Sequence, residues 1–562
     1  MLATSFAIAF PDVGIIGSLA ARHLRIGLKY YGAGRIEEAI AAFERGLAAA
    51  ETEPAGPESD ETITTLHAGL GDSATLRGNF ELAAANYRSA LRLAPHLTGC
   101  WCSFGNLQFK AGKYNEAIAL YLQALRLDSR HWAARVNLVQ ALMATQQYIV
   151  AKGVLLELAG ERPLDGQIRH RLGKAHFELS EPELALECFE QAVALDPCDA
   201  DSLNWIGALK QTTGDLAGAQ AAYAEAARIQ PLIRRPAAKS PAEFRVLALY
   251  APFGGNTPTE YLFQDAFYDI DTLALFSLRE YDCEQFGQSV QLVVNLISDA
   301  DQTEALLPDA ADLVDRLGKP TINDPRKIQR TTRDAVAGLL QGIPGCRIPR
   351  ALRLKAGADC SSSAPRAAFP FSSFVLARPV GTHGGDDFEK IEDQAALAAF
   401  LSQRKDCDHY LIEYIDYRSE DGYFRKYRFI FVDGQILPYH LCIGHDWKLH
   451  HISTDMANQP WMQREEEAFL NDPTAVFSPA HYRALQIIRE RIGLEYCGID
   501  CGLDASGNLV VFEVNASMLV HARNEEFPYK TPAVRRIKLA FETMLRKLAS
   551  SRIDLQPAFT PL

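Results

Sequence analysis

No pair among the eleven cysteines is spaced as CxxC. Cys100 and Cys102 form CxC, and Cys497 and Cys501 stand four apart, so the set reads as ordinary buried thiols of a reducing cytosol. An excess of basic charge is also missing. The formal net charge is −13, which argues against general nucleic-acid binding, because phosphate contacts need a basic surface. The opening MLATSFAIAFPDVG has no basic flank and only a short apolar run. That excludes a good signal peptide and a bilayer-spanning segment, and the expected location is cytoplasmic, away from membranes. What remains is a chain with 48% hydrophobic and 23% charged residues, ordinary for a soluble globular protein. Its 562 residues exceed one core, and about three to four domains are expected.

The first 231 residues repeat. Gly78 and Gly112 are 34 apart, as are Tyr87 and Tyr121, and Ala90 and Ala124. Gly173 and Gly207, Ala185 and Ala219, Phe189 and Tyr223, and Ala192 and Ala226 keep the same step. Pro95, Pro163, Pro197 and Pro231 share the register, with Ser129 in the remaining slot. Small residues let two helices approach, an aromatic fills the gap, and proline ends the second helix. This pattern resembles the tetratricopeptide repeat. Six units fit between about 22 and 231, with an inserted loop at 51–60. The unit at 132–163 is the weakest, with leucines in the aromatic and alanine slots. The resemblance implies an α-solenoid whose concave face takes a peptide or protein, or which serves as an internal scaffold or dimer surface.

PLIRRPAAKSPAE (231–243) breaks the helical pattern and reads as a linker over 232–243. Beyond it, FRVLALYAPFGG (244–255), TLALFSL (272–278) and SVQLVVNLISD (289–299) read as strands, LLPDAADLVDRLG (306–318) as a helix, and KPTINDP (319–325) as a strand and turn. Such alternation implies a parallel sheet. No GxGxxG follows the first strand, so a dinucleotide site is not supported. Residues 323–354 read as a helix with an Arg/Lys face and then a loop, and 356–370 as a polar excursion. A strand with Arg-Pro and a glycine loop follows at 371–391. Three strands come at 409–444, with a polar loop at 416–424 expected to be mobile.

The C-terminal hairpin GIDCGLDASGNLVVFEVNA (498–516) is the most informative stretch. Two carboxylates and an amide interrupt its apolar runs, and burying them is costly unless they are paired or bind a metal. Pairing the strands about a four-residue turn at 505–508 sets Leu509 opposite Asp504, Val511 opposite Gly502 and Glu513 opposite Asp500, with Asn515 on the same face. The other face then holds Ile499, Cys501, Leu503, Val510, Phe512 and Val514. Opposed carboxylates repel unless a cation lies between them, and hard oxygen donors suit Mg²⁺ or Mn²⁺.

In order and spacing these segments resemble the ATP-grasp superfamily, nearest to ribosomal-protein glutamate ligases, glutathione synthetases and D-alanine–D-alanine ligases. The resemblance implies an α/β pre-ATP-grasp domain at 244–320 and an α+β ATP-grasp domain at 321–562. It implies that Asp500, Glu513 and Asn515 hold magnesium bridging ATP phosphates. It further implies that Glu413, Tyr414 and Ile415 line adenine, that Gly381, Gly384 and Gly385 belong to the phosphate loop, and that Arg428 grips the transferring phosphate. Two lysines usual in the family are replaced, by Arg378 and Ala335. Arg378 keeps a positive charge in a different shape, and Arg330, Arg333 and Arg353 are candidates to compensate.

The implied reaction is carboxylate activation to an acyl phosphate, then amine attack to give an amide and ADP, with Arg378 and Arg428 stabilising charge during transfer. Its substrates would be a small-molecule amine or carboxylate and a peptide or protein recruited by the repeats. The resemblance implies a reaction that usually needs no covalent protein nucleophile, and no Ser/His/Asp order demands one. Two other readings stand beside it: a non-catalytic nucleotide-sensing scaffold, which the lysine losses motivate, and an ATP-grasp phosphotransferase. The segment 440–453 carries His440, His445, His450, His451 and Lys448 without zinc-like spacing. It fits contact with acceptor or phosphate as well as a solvated loop. The acids of QREEEAFL (463–470) read as a solvated helix face.

Overall fold

The computed structural model describes residues 18–276, 282–357, 375–382, 387–449, 454–521 and 524–550. The chain divides into two compact units, Met1–Ile229 and Gln230–Leu562.

Over its described residues the first unit is a solenoid of six helix pairs, from Leu19–Gly32 with Ile36–Ala50 to Ala200–Thr212 with Leu216–Ile229. Its packing rule is visible in the sequence. A glycine in the first helix of a pair lies against the aromatic ring sixteen residues later in the second. A Cβ built on Gly71 would stand 2.8 Å from the Tyr87 ring, on Gly105 2.5 Å from Tyr121, on Gly173 2.9 Å from Phe189 and on Gly207 2.7 Å from Tyr223. The fourth pair exchanges the volumes: Val139 replaces the glycine and Leu155 the aromatic, and both are buried. The weak repeat in the sequence is therefore a repacked one. Gly78 and Gly112, in the turns between helices, adopt left-handed φ of 73° and 75°, which glycine does without steric cost.

Among the described residues, the second unit holds three sheets. The first contains β1 (Leu232–Arg235), β2 (Arg245–Tyr250), β3 (Asp269–Ala274), β4 (Leu292–Asn295) and β5 (Thr321–Ile322), in the order β1-β3-β2-β4-β5. β3, β2, β4 and β5 run parallel, and β1 adds antiparallel to the edge. The stretch read as a linker thus begins with an edge strand. Central β2 and β4 are buried throughout their middles, as continuous Val/Leu runs covered on both faces require.

The basic stretch after β5 is two short helices, Pro325–Ile328 and Arg333–Leu339, rather than one. Gln329–Thr331 turns the chain, so that Ile328 and then Val336, Leu340 and Ile343 reach the core. β6 (Cys346–Arg347) and β7 (Ala351–Leu354) follow. The polar excursion at 356–370 lies almost wholly outside the described residues.

A four-stranded antiparallel sheet contains β7, β8 (Val375–Pro379), β9 (Glu389–Ile391) and β10 (His409–Glu413) in the order β7-β10-β8-β9. The third sheet joins β11 (Phe424–Val432), β12 (Gln435–Gly444), β13 (Tyr496–Leu503) and β14 (Leu509–Asn515) to β6, in the order β12-β11-β13-β14-β6. β10 therefore joins the strands that precede it and lies in a different sheet from β11 and β12, which follow it. The 416–424 loop closes on itself and on a helix: Arg425 holds Asp421 at 2.7 Å and Glu465 at 2.5 Å.

Parallel and antiparallel sheets share one core, in which Leu247 and Leu249 join Tyr427, Phe429 and Ile499. Asn323 locks them together. Its side-chain amide donates to the Tyr496 carbonyl (2.7 Å) and its Oδ1 accepts the Tyr496 N–H (3.0 Å). Its φ of 56° is one asparagine tolerates better than most residues.

Candidate functional site

The hairpin turn is shorter than expected. Asp504 pairs with Asn508, and Gly507 takes φ 73°, giving a three-residue loop. The register near the turn is therefore offset: Leu509 faces Leu503 and Val510 faces Gly502. An extra residue, Phe512, then bulges β14, and beyond it Asp500 stands opposite Glu513 as expected. The bulge reassigns the faces. Leu509 and Val511 belong to the main core, while Val510 and Phe512 pack with Ile415, Tyr417 and Phe424 on the carboxylate side. A second bulge, at Tyr439 of β12 beside Pro438, brings His440 opposite Arg428, and Arg428 in turn pairs with Asp500. Bulges commonly re-aim side chains beside functional sites. Here they border a single row across four strands: His440, Arg428, Asp500, Glu513.

Each member of the row has a charged partner. Arg428 grips Asp500 with two hydrogen bonds, Nε to Oδ1 at 2.6 Å and a terminal nitrogen to Oδ2 at 2.8 Å. Lys426, one pleat earlier, lies 3.4 Å from Asp500 Oδ2. Arg333 donates to Glu513 Oε1 at 2.8 Å, and Asn515 Nδ2 donates to the same oxygen at 2.8 Å. Burial would raise both carboxyls, but Arg428 and Lys426 hold Asp500 well below the usual range, and Arg333, with Arg378 and Arg428 further off, holds Glu513 low.

At the end of the row, His440 Nδ1 meets Glu466 Oε1 at 2.5 Å. Glu466 is fully buried, contrary to the solvated reading of its helix. It also accepts from the Leu441 N–H (3.1 Å) and Tyr529 hydroxyl (2.6 Å) and pairs with Lys530 at 3.1 Å. These donors offset the cost of a buried carboxylate. Burial lowers the basicity of His440, partly countered by Glu466.

Three members of the row, Arg428, Asp500 and Glu513, face a cavity of about 310 Å³ between the third sheet and the four-stranded sheet, a size that suits a small-molecule ligand. Glu413, Tyr414, Ile415, Arg378, Arg428, Asp500, Glu513 and Asn515 all line it, and so does Lys448 of the His-rich segment. Glu413 accepts from the Arg350 backbone and side chain at 3.2 Å each. The Tyr414 ring carries Lys390 at 3.8 Å and meets Trp447 edge-on. Buried Arg378 donates to the Thr382 hydroxyl and carbonyl and lies over the Phe388 ring.

A smaller cavity of about 70 Å³ adjoins the first through Arg333, Arg378, Glu513 and Asn515. Ser298 and Asp299 line it just beyond the C-terminal end of parallel β4, where ligands of open α/β sheets bind. Ser298 bonds Ser517 at 2.9 Å and Thr257 donates to the Ala516 carbonyl at 2.8 Å, tying that sheet end to the residues after Asn515.

Gly381 lines the smaller cavity in a left-handed conformation. Gly384, Gly385, His450 and His451 lie outside the described residues. The His445 ring lies tilted against Tyr423, with the ring centres 4.0 Å apart. Of the arginines expected to compensate for lost lysines, Arg333 reaches the site, while Arg353 binds Asp301 and Asp408. Ala335 lies between Arg333 and the core residue Val336 in the second short helix. Sequence reasoning missed Lys426 and Glu466. The alternation of β11 places Lys426 on the Arg428 face, and helical spacing places Glu466 on the buried face with Met462, Phe469 and Leu470, so both signals were available.

Two opposed carboxylates and an amide oxygen are hard donors, so the chemistry of Asp500, Glu513 and Asn515 fits Mg²⁺. Among the described residues, no three His, Cys, Asp or Glu side chains cluster as metal ligands, and both carboxylates hold arginines. Ten described cysteines are free thiols, and among the described residues no helix is long and apolar enough to cross a membrane.

Tetratricopeptide-repeat family models match residues 24–97, 108–174 and 170–232. Superkiller protein 3 of Schizosaccharomyces pombe is 25% identical over 114 residues, 20% of this chain and 8% of that protein. BBSome complex member BBS4 of Mus musculus is 28% identical over 156 residues, 28% of this chain and 30% of that protein. The matches thus span less than a third of either relative. Among solved structures, MamA from Desulfovibrio magneticus RS-1 is 21% identical, covering 30% of this chain and 94% of its own at a TM-score of 0.29. YrrB, described as a TPR protein with an unusual peptide-binding site, is 22% identical, covering 30% and 86% at 0.27. With the six helix pairs and their 34-residue step, the family-model matches support tetratricopeptide repeats in the N-terminal 230 or so residues of this chain, joined to a sheet-containing C-terminal region.

Proposed function

We propose that the C-terminal region is an ATP-dependent carboxylate–amine ligase of the ATP-grasp type, and that the repeats recruit its peptide or protein substrate. The observation that carries this reading is the row Arg428–Asp500–Glu513 facing a cavity between the third sheet and the four-stranded sheet. The opposite wall carries the strand end at Glu413–Ile415 and the guanidinium of Arg378. Five lining cations, Arg333, Arg378, Lys426, Arg428 and Lys448, face three lining carboxylates, Glu413, Asp500 and Glu513, so the cavity favours an anionic ligand. Adenine would lie against Glu413–Ile415, leaving its phosphates toward Arg378 and Arg428. Asp500, Glu513 and Asn515 would hold Mg²⁺, which would neutralise phosphate charge. Arg428 and Arg378 would stabilise charge that develops as the carboxylate is phosphorylated. An amine entering from the smaller cavity would then displace phosphate to give the amide.

One observation favours a second reading, a nucleotide-sensing scaffold without turnover. Both carboxylates are gripped by arginines, and Arg378 is turned onto Thr382. Incubation with Mg-ATP and panels of carboxylates and amines, following ADP, separates the two. ADP that requires both substrates and disappears in Asp500→Ala and Glu513→Ala supports ligation. ATP binding with no ADP under any combination supports the scaffold. No ATP binding at all refutes both.

A further inference from the structure

Where the resemblance calls for two lysines, this chain has Arg378 and Ala335, and the cavity shows what is available instead. Three of its arginines are committed to protein partners: Arg428 to Asp500, Arg333 to Glu513, and Arg378 to Thr382. Lys448 donates to the Phe388 carbonyl at 3.3 Å. Lys426 is placed differently. It lies on β11 two residues before Arg428 and so shares its face, lines the cavity, and keeps its side chain 22% exposed. Its Nζ is 3.4 Å from Asp500 Oδ2, an oxygen that Arg428 already serves at 2.8 Å.

The charge balance is uneven. Asp500, with 3% of its surface exposed, sits between two cations, so one positive charge there is not neutralised. A partly buried surplus cation is costly and favours an anion beside it. Lysine is a compact point charge on a flexible stem. It can turn toward a ligand without disturbing the two Arg428 bonds that fix Asp500.

We propose that Lys426 is the phosphate-contacting lysine of this site, supplied from β11 in place of the residues at 378 and 335, and that its ligand is the polyphosphate of a nucleotide. The assignment rests on the ATP-binding reading above.

The test is calorimetric titration of the full chain with ATP, inorganic tripolyphosphate and adenosine. Wild-type protein binds ATP and tripolyphosphate. Lys426→Met weakens both by at least about tenfold, as expected for one lost charge-assisted hydrogen bond, and leaves adenosine affinity unchanged. Lys426→Arg restores part of the loss. The unfolding temperature of each variant reports whether the fold persists, and Lys426→Gln replaces the methionine variant if that one does not fold. Equal tripolyphosphate affinity in wild type and Lys426→Met overturns the role of Lys426 while leaving ATP binding intact. Equal losses for adenosine and tripolyphosphate also overturn it, because Lys426 would then only support the cavity wall. Failure of the wild type to bind ATP removes the nucleotide reading itself.

Discussion

Gly105→Ala gives a direct test of how the repeats pack. In an ordinary helix, replacing glycine with alanine stabilises by about 0.5–1 kcal/mol, because glycine loses more backbone freedom on folding. At position 105 the new Cβ would stand 2.5 Å from Tyr121 Cε1 and 2.7 Å from Cδ1. The Tyr121 ring is fully buried, and its hydroxyl is held by Asn106 Oδ1 at 2.9 Å, so it cannot swing away into solvent. Overpacking of this kind costs about 1–3 kcal/mol, which outweighs the helix gain. The expected net effect is destabilisation by about 0.5–2 kcal/mol. Gly153→Ala is the control, since a Cβ there meets nothing within 4 Å, and it should stabilise by about 0.5–1 kcal/mol. The fourth repeat supplies the compensation. Gly105→Val with Tyr121→Leu rebuilds the Val139–Leu155 pair one repeat earlier, and the double variant should be less destabilised than the sum of its singles by about 1 kcal/mol or more. Urea unfolding followed by circular dichroism at the helix band reads all of these. Equal stabilisation by Gly105→Ala and Gly153→Ala would refute the packing argument.

Two further outcomes follow from buried charge. Glu466→Ala removes the acceptor shared by His440, Lys530, Tyr529 and the Leu441 N–H, leaving Lys530 buried and unpaired. A loss of about 3–5 kcal/mol is expected, read as a drop in the unfolding temperature of the C-terminal unit, and a change under about 1 kcal/mol would show the cluster to be dispensable. For Asp408, burial alone would raise the carboxyl, but the Ala356 N–H, Lys355 and Arg353 together lower it to about 2. The folded value lies below the unfolded one of about 3.9, so this contribution is complete above about pH 4 and is lost as pH falls toward 2. Asp408→Asn should therefore flatten the fall in unfolding temperature across that window. An unchanged slope would assign the acid sensitivity to other carboxylates.

The repeat region was legible because each unit contacts only its neighbours. The glycine that admits the ring and the ring itself lie sixteen residues apart, so local spacing carries nearly the whole packing rule. Asp500, Glu513 and Asn515 could also be read as one face, because strand alternation has a period of two. The details between them could not. The expected turn was one residue too long, and the bulge at Phe512 was not foreseen. These two errors cancelled at Asp500 and Glu513 but misassigned Leu509, Val510, Val511 and Phe512. A bulge is decided by what the strand packs against, here Tyr417 at 4.5 Å from the Phe512 ring, and that neighbour is almost a hundred residues away in sequence.

By itself, then, the sequence determined the solenoid, the alternation of strands and helices after it, and the chemical types gathered in the hairpin. These depend on contacts near in the chain or on fixed periodicity. Only the tertiary structure decided that β10 joins a different sheet from β11, that Arg428 lies across from Asp500, and that Glu466 meets His440, Tyr529 and Lys530. Each of those depends on register between distant segments, where a shift of one residue turns a side chain from the cavity to the core.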